Sequence, residues 1–341
     1  MKIIVDAMGG DNAPLSIVEG SALAAVELGA KLVLVGRGDE ILKSMHSLSM
    51  DTLPDGVEIA NASELVDMHD DPVAAVRAKK DSSLVVGLNL LRDGEGSAFV
   101  SAGSTGALLA GATLIIKRIK GIRRAALAPI MPQLLGNRVI IDSGANIDCT
   151  PEFLLQFAVM GSSLTKNVFG KSSPKVGLLN IGTEDTKGGQ LQLDAYALLK
   201  SAGESGALNF IGNIEARDVF LGDVDVVVSD GFSGNVLLKT MEGMGLFFMR
   251  QMRSLLSTNL RTKLGGMLIK SAFKDLRAQM DYTEVGGGIL LGVTKPVVKA
   301  HGSSDAKAIR NAIAFALKCA ESNYISDIEL SRSIDNDQRE D

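Results

Sequence analysis

The sequence has no tryptophan, only three tyrosines and only two cysteines, and each scarcity narrows what the chain can be. Aromatic residues make up 4% of it, which leaves few candidates for a surface on which nucleic-acid bases stack. An excess of positive charge is also missing. Forty acidic residues against 35 basic ones give a net charge of −5, so no nucleic-acid partner is expected. Cys149 and Cys319 alone cannot build a disulfide framework or a cysteine-rich metal site. No uncharged apolar run approaches the ~20 residues of a membrane span. Asp6 interrupts the first apolar run after a single Lys2, so the N-terminus does not read as a signal peptide. The expectation is a soluble, cytoplasmic protein. Several catalytic signatures are absent too: the Gly-x-Gly-x-x-Gly dinucleotide fingerprint, a Gly-x-Ser-x-Gly elbow and any zinc-ligand pair. Gly170-Lys171-Ser172 imitates the end of a Walker A loop, but Thr165 stands where that loop needs glycine, and a helix pattern precedes it.

What is present is a regular alternation of strand and helix patterns. The 341 residues, 46% apolar, suffice for one large domain or two smaller ones. Apolar runs at Lys2–Val5, Lys31–Val35, Val57–Ala60, Ala98–Val100, Arg138–Ile141, Val176–Leu179 and Val224–Val228 read as buried strands. Helical spacing covers Pro14–Leu28, Pro72–Leu91, Gly106–Lys117, Glu152–Val168 and Gln190–Lys200. Such alternation implies a mostly parallel sheet covered on both faces, in one α/β domain over residues 1–330. Residues 331–341 read as a polar, disordered tail.

Five times in the chain an apolar run stops abruptly in a loop of Gly, Ser, Thr, Asn and Asp. The loops are Asp6–Asn12, Ser101–Gly106, Asn180–Gly188, Ser229–Asn235 and His301–Asp305. At the carboxyl edge of a parallel sheet such loops form ligand sites. Their N–H groups and the helix N-termini behind them favour an anion. A composite site for a phosphate-like ligand is therefore expected. Each residue also has a plainer reading. Asp6 can orient a ligand against Gly9 and Gly10, or the loop can be a tight turn whose Asp11 or Asn12 caps the next helix. Lys187 can neutralise a phosphate as a point charge, or be a solvated lysine paired with Glu184 or Asp185. Asn235 can donate its amide to an oxyanion, or cap a helix. His301 can serve as an acid or anion donor, with Ser303 or Ser304 only capping the helix that follows. Cys149, near a helix start, lacks a partner histidine and reads as a packed small side chain. His46 and His69 receive no role.

One segment differs from the rest. Residues 244–280 read as a basic amphipathic helical hairpin, with a break expected at Gly265-Gly266. They hold Arg250, Arg253, Arg261, Lys263, Lys270, Lys274 and Arg277 against a single acid, Asp275. Leu255, Leu256, Leu260 and Leu264 supply apolar surface there. An acidic protein partner or an anionic lipid surface suits that combination.

Taken together, Val5-Asp-Ala-Met-Gly-Gly-Asp11, Lys79-Lys-Asp-Ser-Ser83, Val100-Ser-Ala-Gly103, Gly144-Ala-Asn146, Gly177-Leu-Leu-Asn-Ile-Gly182, Asp230-Gly-Phe232 and His301-Gly-Ser-Ser-Asp-Ala306 resemble the bacterial phosphate acyltransferases, the PlsX family, in order from Met1 to about Ala316. The resemblance implies a three-layer α/β/α sandwich related to isocitrate dehydrogenase and phosphotransacetylase, and a homodimer. It implies transfer of a fatty acyl group from acyl carrier protein to inorganic phosphate. The acyl phosphate produced would feed a membrane acyltransferase acting on glycerol 3-phosphate, on the way to phospholipid. No cofactor and no metal are expected. Lys187 and Asn235 fall on family positions in the active site. Asp6, Gly9, Gly10, Ser104, Thr105, Gly106, Asn146, His301 and Ser303 are expected around the phosphate. The helical tip with Arg261 and Lys263 is expected at the membrane or the carrier protein. Ser104 stands where the family usually has Asn, and Gly189-Gln190 where Gly-Asn is common. The competing readings are a related enzyme on the same fold, either a coenzyme A-dependent phosphotransacetylase or a nicotinamide dehydrogenase, and a non-catalytic acyl- or membrane-binding module.

Overall fold

The computed structural model describes residues 1–133, 136–269 and 284–337. Eleven strands form one sheet: β1 (Lys2–Asp6), β2 (Lys31–Gly36), β3 (Val57–Asn61), β4 (Ala98–Ser101), β5 (Ala126–Gln133), β6 (Gly136–Ile141), β7 (Lys175–Leu179), β8 (Asn209–Ile214), β9 (Val226–Val228), β10 (Gly288–Leu291) and β11 (Val297–Lys299). Their order is β3-β2-β1-β4-β11-β10-β5-β6-β9-β7-β8. Pairing is parallel from β3 to β11 and again from β6 to β8. Between these halves β10 runs antiparallel to β11, β5 to β10 and β6 to β5. After three reversals the β6–β8 half points opposite to the β1–β11 half. The five polar loops therefore do not share one sheet edge, as a fully parallel sheet would require. The strands missing from the sequence reading, β5, β8, β10 and β11, include three of the four at this seam.

Alternation along the strands divides the core between two faces. Ile3, Val5, Val139, Ile141, Val226 and Val228 point to one face. It is covered by α1 (Leu15–Leu28), α2 (Gly38–Ser47), α6 (Pro151–Phe169), α7 (Gln190–Glu204), α11 (Ala306–Glu321) and α12 (Tyr324–Asp337). Ile4 points the other way, toward α4 (Ser83–Asp93), α5 (Thr105–Gly111) and α3 (Pro72–Ala78). Ile140 and Val227 point that way too, toward α8 (Asp218–Leu221) and the first turns of α9 (Gly231–Ser257). This second cover thus comes in two pieces, with the antiparallel seam between them.

Three local features differ from the sequence reading. The pattern at Pro72–Leu91 is two helices, because Ser82 leaves helical geometry and caps α4 by accepting from Val85 N. The helix after Ser104 continues as a π-helical turn, Ala112–Ile116. The last helix runs to Asp337, well into the segment read as a tail.

The basic hairpin is formed by α9 and α10 (Leu260–Leu268). Its turn is not at Gly265-Gly266, which lie inside α10. It falls at Thr258-Asn259, where the Asn259 side chain accepts from Thr262 N at 3.0 Å and Thr262 Oγ1 accepts from Asn259 N at 3.0 Å. This reciprocal cap is worth about 1 kcal/mol and fixes the reversal. Gly266 of α10 faces Leu256 of α9, and a Cβ there would make an ordinary contact with the Leu256 Cβ at 3.4 Å. Beyond Met241 no described residue of α9 or α10 is buried. Residues 270–280 of the expected hairpin lie outside the described residues. Among the described residues, no helix is long and apolar enough to cross a membrane.

Candidate active site

A cavity of about 250 Å³ opens at the antiparallel seam, between the two pieces of helical cover. Its floor is the cross-strand row Lys299–Gly288–Pro129, continued by Leu127. Thr105, at the start of α5, and Ala300 and His301, after β11, form one wall. Ser143 and Gly144, after β6, and Asn235, Leu238, Lys239 and Glu242, on α9, form the other. The seam thus brings together the carboxyl ends of strands that run in opposite directions.

The Ser143–Gly144 wall is shaped by Asp142. Its buried carboxylate accepts from the backbone N–H groups of Leu127 (2.8 Å), Ser143 (2.8 Å), Ala145 (3.3 Å) and Asn146 (2.6 Å). Burial pushes this carboxyl up, and those N–H groups with the Asn146 side chain oppose the shift. Asn146 Nδ2 donates to Asp142 Oδ2 (3.0 Å) and to the Ala125 carbonyl (2.9 Å). Asn146 therefore braces the loop and does not line the cavity. The N-terminus of α9 docks directly on this loop. Gly231 N donates to the Asn146 carbonyl at 2.7 Å, and a Cβ at Gly234 would lie 1.9 Å from the Asp142 carbonyl oxygen.

That docking puts Asn235 at the cavity, its carboxamide opposite Gly144. Asn235 does not cap the helix. Asp230 does, accepting from Ser233 N at 2.8 Å. Among the described residues the Asn235 carboxamide has no hydrogen-bond partner, so it is available to a ligand.

On the opposite wall, the Ser303 backbone N–H donates to His301 Nδ1 at 3.2 Å, and Ser303 Oγ lies 2.8 Å from the same nitrogen. A backbone N–H can only donate, so Nδ1 is the acceptor and the neutral ring carries its proton on Nε2. Burial lowers the His301 pKa. Lys239 and Lys299 lower it further, against Glu242 and Asp11. Ser303 thus fixes the imidazole, while the cap of α11 is Asp305, which accepts from Ala308 N at 2.9 Å.

Other expected site residues serve the scaffold. Asp6 accepts from Ser101 Oγ (2.7 Å) and Met8 N (3.2 Å). Burial raises its pKa against these contacts and one from Ser83. A Cβ at Gly9 would lie 2.5 Å from Asp6 Oδ2, and one at Gly10, whose φ is +111°, 2.9 Å from the Ala102 Cβ. Both glycines are there for loop-to-loop packing. Asp11 N donates to the Gly302 carbonyl (2.8 Å), and Asn12 Nδ2 to the Ser303 and Ser304 carbonyls (3.2 Å each). Neither Asp11 nor Asn12 caps α1, which begins after Pro14. Ser104 caps α5 by accepting from Ala107 N, and Gly106 packs on Pro72. Of this group only Thr105 lines the cavity.

Lys187 lies on the loop after β7, half exposed and 3.9 Å from Glu184 Oε1. It does not line the cavity, although β7 is next to β9, the strand that leads into α9. Conversely, Lys299, Lys239, Glu242 and Ser143 line the cavity without having been singled out in the sequence. The available signal for Lys299 was its place in the apolar run 297–300, immediately before the histidine loop. Cys149 is not activated. Burial pushes its thiol up to about 11, and its Sγ contacts the Asn146 carbonyl.

The fold places the molecule among the phosphotransacetylase-like α/β proteins. A phosphotransacetylase from Streptococcus pyogenes superposes with a TM-score of 0.63 at 19% identity, over 96% of this chain and 94% of that one. The EutD phosphotransacetylase from Staphylococcus aureus gives 0.59 at 18%, over 94% of each. The sequence is far more specific. The model of the family described as "Fatty acid synthesis protein" matches residues 1–327. A phosphate acyltransferase of Thermoanaerobacterium thermosaccharolyticum is 47% identical over 329 residues, 96% of each chain. One from Caldanaerobacter subterraneus subsp. tengcongensis is 48% identical over 314 residues, 92% of each. The chain belongs to the phosphate acyltransferase family. It is an acyltransferase, and its reaction is acyl transfer to phosphate.

Proposed function

We propose that the seam cavity holds inorganic phosphate beside the thioester of an acyl-[acyl carrier protein], and that a phosphate oxygen attacks the thioester carbonyl directly. The observation that carries this reading is a cavity with donors but no activated protein nucleophile. Ser143 Oγ is hydrogen-bonded to the Leu127 carbonyl, among the described residues no basic side chain is hydrogen-bonded to it, and the Cys149 thiol is held neutral. The nucleophile must then come with the substrates. The phosphate–carbonyl carbon bond forms as the carbon–sulfur bond breaks. The carrier's thiol, with an unperturbed pKa of about 8.5, leaves as thiolate and needs no strong general acid. What the protein supplies is placement and donors for the developing oxyanion: the Asn235 carboxamide on one side and the neutral His301 ring on the other.

Lys187, on the loop after β7, is the second catalytic residue of this proposal, bringing a positive charge to phosphate once substrates are bound. Lys187→Ala should lower acyl-phosphate formation roughly a hundredfold, the loss of a charge-assisted contact of about 2–3 kcal/mol. Unchanged turnover in the folded variant would remove Lys187 from the mechanism.

A 250 Å³ cavity admits only the reacting end of the donor, so a carrier protein would dock outside it. The exposed Arg250, Arg253, Arg261 and Lys263 of the hairpin offer an acidic carrier complementary charge in an otherwise acidic protein. The same hairpin exposes Phe247, Leu255, Leu264, Met267 and Leu268, which fits peripheral contact with an anionic membrane. There the homodimer would hand acyl phosphate to a membrane acyltransferase. Comparing acyl-[acyl carrier protein] with acyl-coenzyme A as donor tests the carrier. Equal kcat/KM for both would favour the coenzyme A-dependent reading.

A further inference from the structure

The most buried ionisable side chain of the cavity is a lysine with no carboxylate paired to it among the described residues. Lys299 ends β11 at 9% exposure, on the cavity floor. Its Nζ donates to the carbonyl oxygens of Ala102, at 3.3 Å, and Ala300. Among the described residues it forms no ion pair. The other lysine of the cavity, Lys239, is already paired with Glu242 at 2.8 Å. Of the acids facing Lys299 from β1 and its loop, Asp6 is hydrogen-bonded to Ser101, and Asp11 acts only at longer range. On the remaining sides are Lys239 and Glu242 from α9 and His301 from its own strand end.

A buried charge is costly unless paired, and two carbonyl dipoles pair it only in part. The missing counter-charge has an obvious source, because the lysine forms part of the wall of a cavity large enough to admit a small anion. We propose that Lys299 is the cation that binds phosphate in this cavity, its ammonium donating to a phosphate oxygen from the floor while Asn235 and His301 stand on either side. This inference rests on the reading of the seam cavity as the site of acyl transfer. It explains why the phosphate-binding charge is not on a Gly-rich loop: a lysine at a strand end needs no loop closure to meet the anion. It also assigns distinct tasks to the two lysines, Lys299 for binding phosphate and Lys187 for the reacting state.

The test measures phosphate binding apart from turnover. Melting temperatures of the full chain are taken with and without inorganic phosphate, in the absence of donor, for the natural protein, Lys299→Met and Lys299→Arg. Phosphate should raise the Tm of the natural protein, because a ligand that binds only the folded state stabilises it. It should leave Lys299→Met unmoved, and it should raise Lys299→Arg by an intermediate amount. In steady state, the phosphate KM of Lys299→Met should rise by at least about tenfold, with the donor KM within about twofold of the natural value. A Met variant that answers phosphate as the natural protein does would overturn the proposal, as would a natural protein that does not answer phosphate at all. Should Lys299→Met fail to fold, the pH dependence of the natural protein decides. Burial lowers the Lys299 pKa to about 8, so phosphate affinity should fall as pH rises beyond about 8, and a flat profile there overturns the assignment. If phosphate binds through Lys299 but no acyl group reaches it, the acyl-transfer reading fails and this assignment stands.

Discussion

Two loop clusters in this molecule have nearly the same composition and opposite character. The loops after β1 and β4 carry Asp6, Gly9, Gly10, Ser101 and Gly103, and they close on one another. Asp6 takes the Ser101 hydroxyl, Gly9 lies against Gly103, and only about 10 Å³ is left between them. The loops after β6 and β9 carry Asp142, Ser143, Gly144 and Asp230, with Asn235 following in the first turns of α9, and they leave a cavity of about 250 Å³. Each cluster uses a buried aspartate as an internal acceptor. The difference is what lies opposite. The first cluster meets loops from strands parallel to its own and packs against them. The second faces the antiparallel seam, where the helical cover divides. A run of Gly, Ser and Asp after a strand therefore specifies a tight, hydrogen-bonded loop, and only the topology decides whether a ligand has room beside it.

Substitutions in the two clusters should consequently fail in different ways. The largest effect is expected at Asn235. Asn235→Ala should lower turnover by about a hundredfold, as removal of an oxyanion donor does, without lowering Tm, because the helix cap is Asp230. Asp230→Ala should do the reverse to stability, costing about 1 kcal/mol in denaturant unfolding. If Asn235→Ala instead melts early at normal specific activity, the open cluster is scaffold like the closed one. Next comes Gly9→Ala. Its Cβ would sit 2.5 Å from Asp6 Oδ2 and 2.8 Å from Gly103 N, so stability should fall by about 1–3 kcal/mol. Phosphate KM should stay unchanged in the molecules that fold. A raised phosphate KM at full stability would place Gly9 at the ligand after all.

The smallest effect on the folded body is expected from the hairpin. Leu255 is 61% and Leu264 58% exposed, so Leu255→Glu with Leu264→Glu should shift stability by no more than about 0.5 kcal/mol per site. Activity with soluble substrates should be kept, while co-sedimentation with anionic vesicles is lost. Full vesicle binding by the double variant would leave carrier-protein docking as the use of the hairpin's charge.

Much of the fold was legible in the sequence because long apolar runs alternate with helical periodicity. β1, β2, β3, β4, β6, β7 and β9 all fall on runs visible without coordinates. The seam was not. β5 carries Pro129 and Pro132, which argue against a strand on local grounds. β10 and β11 span only four and three residues. Missing those strands hid the reversal of direction, and with it the cavity. Asn235 and His301 were legible because each lies in a polar loop at the junction of a strand and a helix. Lys299 was not, because a lysine at the end of an apolar strand gives no local sign of the cavity beside it. Asp6 was assigned to the ligand from its polar loop and Asn146 from the family resemblance, whereas Asp6 is tied to Met8 and Ser101 and Asn146 to Asp142 and Ala125.

The central claim is that phosphate, not a side chain, attacks the thioester at the seam. Rapid-mixing measurement of thiol release from acyl-[acyl carrier protein], with enzyme at substrate-like concentration and phosphate either present or absent, tests it most directly. The account predicts no thiol burst without phosphate and acyl phosphate equal to thiol when phosphate is added. A burst stoichiometric with enzyme in phosphate-free buffer, with the acyl group retained on the protein, would contradict it.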